Sequence, residues 1–252
     1  MSFLRSCLFN LWFYVGTTVA GLLTVPSILA RRAGLLRPGW AFRFVYVWTS
    51  LMLWGLRIFA GARWEVRGRE HLPKDGAALI VSMHQSAFDT MVWFVLVPQA
   101  TYVLKRELLK IPCIGRMLIE LGLIAVDREG GGAAIRSLLQ ETDRAVAEGR
   151  QIVIFPEGTR VAPGERAPLH PGFAAIASRS GLPIIPVTTD SGHCWGRRAF
   201  RKRAGVIHVD IHPPMPAGLS RPEMTARLDV LFAQAARDQA ARDRPSGTVT
   251  GS

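Results

Sequence analysis

Residues 8–30, "LFNLWFYVGTTVAGLLTVPSILA", contain no charged side chain. Coiled as a helix at about 1.5 Å per residue, this run reaches roughly 35 Å, enough to cross the hydrocarbon core of a bilayer. Pro26 is expected to kink or end such a helix. Arg31, Arg32 and Arg37 follow it, and the positive-inside rule places them on the cytoplasmic side. A secretory signal would need a small-residue cleavage site, for which "TVA" at 18–20 is a poor match.

Residues 40–60, "WAFRFVYVWTSLMLWGLRIFA", form a second apolar stretch of a different kind. Arg43, Ser50 and Arg57 are spaced seven apart and fall close to one line on a helix. The remaining surface is aromatic or aliphatic, as in a helix lying in the headgroup region with its arginines snorkelling outward. Residues 1–60 therefore read as a two-helix membrane anchor. Formal net charge is +12, with four of the seven tryptophans before residue 60, and mean hydropathy is +0.19. A basic, apolar chain favours an anionic and greasy partner, a phospholipid surface rather than nucleic acid. Cys7, Cys113 and Cys194 are too scattered for a disulfide framework, and His193 next to Cys194 lacks companions at metal-ligand spacing.

From residue 61 to 240 short apolar runs alternate with helical patterns. Strands are expected at 64–68, 78–82, 101–104, 123–126, 151–155, 183–188 and 206–211. Helices are expected near 87–97, 107–120, 133–148, 171–180 and 221–239. Gly122, Gly149 and Gly181 stand where helix C-caps belong. This is the pattern of an α/β domain, a mostly parallel or mixed central sheet covered by helices. The polar tail 241–252 is expected to be disordered.

Two polar clusters sit at expected strand ends. In "MHQSAFDT" (83–90), His84 ends the run "AALIVS", and Ser86 with Asp89 makes the Ser-x-x-Asp arrangement that opens a helix. A strand–turn–helix folds Asp89 back toward one imidazole nitrogen and leaves the other to take a proton. Taken alone, each residue also fits a bland role, a solvated histidine and a carboxylate favoured by the helix dipole. In "FPEGTR" (155–160), proline stops a strand and glycine permits a tight turn with exposed amides. Arg160 then stands where it can grip a phosphate, and Glu157 needs a partner, either an arginine or a substrate hydroxyl. Lys105 ends another strand and is a second candidate phosphate contact. Arg197, Arg198, Arg201, Lys202 and Arg203 form a basic cluster that suits either lipid phosphates or plain solvation.

"HQSAFD", "LKREL…IP…G…VDR", "FPEGTR" and "LPIIP" resemble, in order and spacing, the four motifs of the glycerolipid acyltransferases. The likeness is to the bacterial 1-acyl-sn-glycerol-3-phosphate acyltransferases of the PlsC type, and it covers about 64–215. It implies transfer of an acyl chain from acyl-CoA or acyl carrier protein to the sn-2 hydroxyl of lysophosphatidic acid, giving phosphatidic acid. It further implies His84 as general base, Asp89 as its orienting partner, and Lys105 and Arg160 on the substrate phosphate. Glu157, Gly158 and Thr159 complete the substrate-binding stretch. No metal or cofactor is implied, because a thioester is already activated. The N-terminal helices are expected to hold the protein on the cytoplasmic face of the inner membrane. His170, Arg116 and Ala125 depart from residues common in the family, so another lysolipid acceptor, such as lyso-ornithine lipid, is the alternative. A non-catalytic membrane-surface protein is the alternative of another class. Without a G-x-S-x-G there is no support for a serine acyl-enzyme. The oxyanion is expected to meet backbone amides near 157–160 or at the helix start after His84.

Overall fold

The computed structural model describes residues 2–97, 99–127 and 131–243. Arg128 of the second motif and the tail beyond 243 lie outside the described residues. Seven strands, β1 (Ala62–Arg67), β2 (Ala78–Ser82), β3 (Thr101–Lys105), β4 (Ile124–Val126), β5 (Gln151–Ile154), β6 (Ile184–Thr189) and β7 (Gly205–Ile211), form one sheet. The order is β1-β7-β6-β2-β5-β3-β4. All pairs are parallel except β6–β7. β2 lies in the middle, between β6 and β5, and all five of its residues are buried. That is why "ALIVS" is a continuous apolar run rather than an alternating one.

Helices cover both faces. On one side lie α1 (Ser2–Arg32), α2 (Trp40–Gly55) and α3 (Phe88–Leu96). A π-helical turn, Leu56–Ala60, links α2 to β1. On the other side α5 (Gly131–Ala147), α6 (Gly172–Ser180) and α8 (Arg221–Asp243) pack Leu138, Phe173 and Leu228 against Leu79, Val81 and Ile152. α4 (Ile114–Glu120) packs beside α2, and a short α7 (Ser191–Cys194) follows β6.

The first 60 residues share a core with the sheet. Phe9, Met52, Leu53, Leu56 and Ala60 are buried in the same cluster as Ile80, Trp93 and Val153. α1 does not stop at Pro26 but continues to Arg32. It lies along the domain. Near its start, Ser6 and Asn10 bond the segment at 200–202, and Phe9 packs edge-on against Trp195. Farther on, α1 packs against α2 and α4. Its outer side exposes Leu4, Leu11, Leu22 and Leu29, continued on α2 by Tyr46, Val47 and Trp54. Arg43 of α2 and Arg57 of the π-helical turn are both exposed. α1 is long and apolar enough to cross a membrane, with a most apolar window of mean hydropathy 1.6.

The helix expected over 107–120 is broken. A 3-10 turn occupies Arg106–Lys110, and α4 begins only at Ile114. Pro112 cannot donate to a helix and restricts the residue before it, so the pattern splits there. Gly122, Gly149 and Gly181 do follow α4, α5 and α6 with positive φ.

Candidate active site

β2, β3, β5 and β6 run in the same direction, so their carboxyl ends share one edge. Ligand sites in open α/β sheets collect at such an edge. His84 follows β2, Lys105 ends β3, and Glu157–Arg160 follow β5. The loop 195–203 follows α7 at the end of β6.

α3 starts at Phe88, with Ala87 rather than Ser86 at the cap position; the Ser86 hydroxyl instead accepts from the Phe88 amide at 3.1 Å. Asp89 is in the first turn and almost wholly buried. Its Oδ2 lies 3.2 Å from His84 Nδ1 and accepts the amides of Gln85 and Ser86, both at 2.7 Å. Nδ1 therefore carries the proton, and Nε2 makes no hydrogen bond to the described protein. The His84 ring stacks on Phe155 with centroids 4.3 Å apart, which fixes its plane from the other side.

The turn after β5 closes with the Gly158 amide donating to Phe155 O at 3.0 Å. Gly158 has φ +66°, a conformation that favours glycine. Glu157 is buried, and its Oε2 accepts the His84 amide at 2.6 Å. Its partner is thus the backbone of the histidine, neither an arginine nor a cavity group. Burial, together with the nearby Asp89 charge and against the His84 bond, pushes the Glu157 carboxyl up to about 8. The reciprocal bond from Val161 N to His84 O, 2.8 Å, ties the two loops together.

His84, Phe155, Gly158, Thr159 and Arg160 line a cavity of about 550 Å³. Lys105, Arg197 and Arg198 line it too. The inner wall is apolar, with Tyr102, Leu104, Ile114, Leu118 and Leu123. Asp89 and Glu157 do not line the cavity; each bonds His84 from behind it, Asp89 at the ring and Glu157 at the backbone amide. Lys105 has a neighbour of opposite charge, Glu107, at 3.6 Å. Burial lowers the Arg160 pKa, the Asp89 charge opposes this, and the adjacent Arg197 and Arg198 lower it further. The expectation of an oxyanion site at the helix start fails for Gln85 and Ser86, whose amides are taken by Asp89. Lys202, grouped in sequence with the surface arginines, is buried and unavailable to a lipid phosphate. Phe155 was visible in sequence only as a strand residue; its stacking on His84 depends on how β5 sits beside β2.

The acyltransferase family model matches residues 63–190. The chain belongs to the acyltransferase family. A 1-acyl-sn-glycerol-3-phosphate acyltransferase of Pseudomonas aeruginosa is 34% identical over 90% of this chain and 86% of that protein. The human 1-acyl-sn-glycerol-3-phosphate acyltransferase alpha is 31% identical over 71% of this chain and 64% of that protein. The crystal structure of the 1-acyl-sn-glycerophosphate (LPA) acyltransferase PlsC from Thermotoga maritima matches with TM-score 0.76 at 24% identity, over 98% of this chain and all of that one. That last likeness establishes a common fold. The acyltransferase match spans β1 through the end of β6, so every cavity loop except 195–203 lies within it.

Proposed function

We propose that this acyltransferase moves a fatty acyl group from acyl-CoA or acyl carrier protein to the sn-2 hydroxyl of lysophosphatidic acid, giving phosphatidic acid. The observation that carries the reading is a His84–Asp89 pair at the head of a cavity with one apolar wall and a cationic rim. The names of the relatives from Pseudomonas and human support the acceptor.

His84 Nε2 takes the proton of the acceptor hydroxyl as that oxygen attacks the thioester carbonyl. The C–S bond of the tetrahedral intermediate then breaks, and the proton passes from His84 to the departing thiolate. Such a base contributes about 10²–10⁴ in rate. Asp89 holds the tautomer and offsets the charge of the imidazolium. The amides of Thr159 and Arg160 make no bond to the described protein and are the donors left to meet the oxyanion. The acceptor phosphate sits on Arg160 and Lys105, and the acyl chain lies against Leu104, Leu118 and Leu123. The exposed outer side of α1 and α2 lies in the cytoplasmic leaflet of the inner membrane, so that the cavity meets lipids at the headgroup plane.

The test is acyl transfer by purified full-length protein with a panel of lysolipid acceptors and with both donors. Phosphatidic acid formed faster than any other product supports the reading. A clear preference for an acceptor of another headgroup would replace it.

A further inference from the structure

The cavity rim carries more positive charge than the sequence motifs supply. Arg197 and Arg198 line the same cavity as Arg160, yet belong to the loop after α7, outside the four motifs. Among the described residues, none of these three guanidinium groups has a carboxylate at ion-pair distance. Arg197 Nη1 reaches the Arg160 carbonyl at 3.5 Å, so the two loops touch. Like charges gathered with no carboxylate in ion-pair contact repel one another; the Asp89 charge offsets part of this at Arg160 from a distance, and an anion between the three would offset the rest.

The loop is held in place rather than loosely solvated. Trp195 before it and Lys202 after it are both buried. The Lys202 ammonium donates to Asn10 Oδ1 at 2.9 Å, to Ala199 O at 2.7 Å and to Phe200 O at 3.1 Å. It also lies over the Trp195 ring, 5.2 Å from its centroid. Arg203 N closes the segment on Cys194 O at 2.9 Å. Arg198 at the tip has φ +54°, which non-glycine residues seldom adopt. Backbone of this kind persists where its surroundings impose it, and it recurs at ligand clamps.

We infer that Arg197 and Arg198 join Arg160 in gripping the phosphate of the lysolipid acceptor, and so set the preference for a phosphorylated acceptor. This rests on the proposed acyl transfer to a lysophospholipid. A phosphomonoester carries close to two negative charges, and guanidinium groups suit its oxygens bidentately. Arg160 alone cannot balance that charge, and Lys105 already has Glu107 beside it. The adjacency of Arg197 to Arg160 favours one shared phosphate over a separate site for the donor.

The experiment compares the full-length wild type with R197Q, R198Q and the double variant in mixed micelles. kcat and KM are measured for lysophosphatidic acid and for monoacylglycerol of the same chain, and KM for the acyl donor. Each substitution is expected to raise KM for lysophosphatidic acid roughly tenfold or more. The ratio of kcat/KM for the two acceptors should fall by a similar factor in each, and by more in the double variant. R197K with R198K should restore the ratio in part. Both side chains replaced here are exposed, and a melting curve checks that the fold is kept. An unchanged ratio in the double variant overturns the inference. A rise confined to donor KM moves the two arginines to the donor's phosphate. Unaltered kinetics with weaker binding to anionic vesicles makes them a membrane contact. A wild type that ignores lysophosphatidic acid but acylates another phosphate-bearing lysolipid refutes the acceptor reading alone, and the double variant is then scored on that lipid.

Discussion

Asp89 Oδ2 lies 3.2 Å from His84 Nδ1 while accepting two backbone amides of the same turn, Gln85 and Ser86, at 2.7 Å. One oxygen therefore both folds the strand–helix turn and orients the imidazole. The turn's geometry and the imidazole's tautomer cannot be altered independently. His84, by contrast, is tied in through its backbone by Glu157 and Val161, bonds that a change of its side chain leaves in place.

His84→Ala should therefore lose at least about 10² in kcat with little change in melting temperature. Asp89→Asn should lose rate to a similar degree. Its amide can keep accepting from the turn, but it carries no charge to stabilise the imidazolium. Asp89→Ala should in addition destabilise the fold by about 2–4 kcal/mol, because two buried amides lose their acceptor. Turnover by His84→Ala within tenfold of wild type would remove the histidine from the mechanism.

Glu157 predicts a pH dependence of stability. Its carboxyl titrates near 8 in the folded protein against 4.5 for the ordinary group, raised first by burial. A folded pKa above the unfolded one means that stability is fully present below pH 4.5 and is lost as pH rises through 8. Glu157→Gln keeps an oxygen for the His84 amide and cannot ionise. The difference in melting temperature between variant and wild type should grow in the variant's favour from pH 5 to pH 8.5. Each kcal/mol gained at the alkaline end corresponds to roughly 2–4 °C in a chain of this size. A difference that does not change with pH would mean that Glu157 keeps its charge in the fold.

The apolar wall predicts chain-length selection. Leu118 lines the cavity together with Leu104 and Leu123. Leu118→Trp fills space that an acyl chain would occupy. kcat/KM should fall for long-chain donors and hold for short ones, measured over a series of saturated thioesters. Equal losses at every length would place the acyl chain elsewhere.

All seven strands and the place of His84 were legible in the sequence: the central strands β2 and β6 are continuous apolar runs with polar residues standing out at their ends, and the outlying β1 and β7 alternate. The partner of Glu157 was not legible. A buried carboxyl bonded to a backbone amide of a neighbouring loop leaves no trace in residue types, since nearly every residue offers that amide. Lys202 misled for a related reason. In sequence it is one cation among five, and only the packing of Phe9, Asn10 and Trp195 around it separates it from Arg197 and Arg198. Pro112 was the missed local signal: it divides 107–120 into a 3-10 turn and α4.

The placement of α1 predicts that membrane attachment and folding are separable on its two sides, though not by truncation. Its inner side places Phe9 in the core beside Met52, Leu53 and Leu56 of the following elements. Losing a buried residue of this size costs about 2–5 kcal/mol, and a domain has only about 5–15 kcal/mol to lose. Deleting residues 1–60 should therefore give aggregated, inactive protein instead of a soluble enzyme. The outer side is different: Leu4 is 65%, Leu11 63% and Leu22 67% exposed. Changing these three to Gln removes apolar area that the fold does not bury, and each such side chain is worth about 1.5–3 kcal/mol of transfer into lipid. The triple variant should keep its melting temperature in detergent and its activity on micellar substrate, while sedimenting far less with vesicles containing anionic lipid. A truncated chain that stays soluble and active would show that α1 is a dispensable appendage. A triple variant that still sediments like wild type would shift the attachment to α2 and the exposed arginines at 43 and 57.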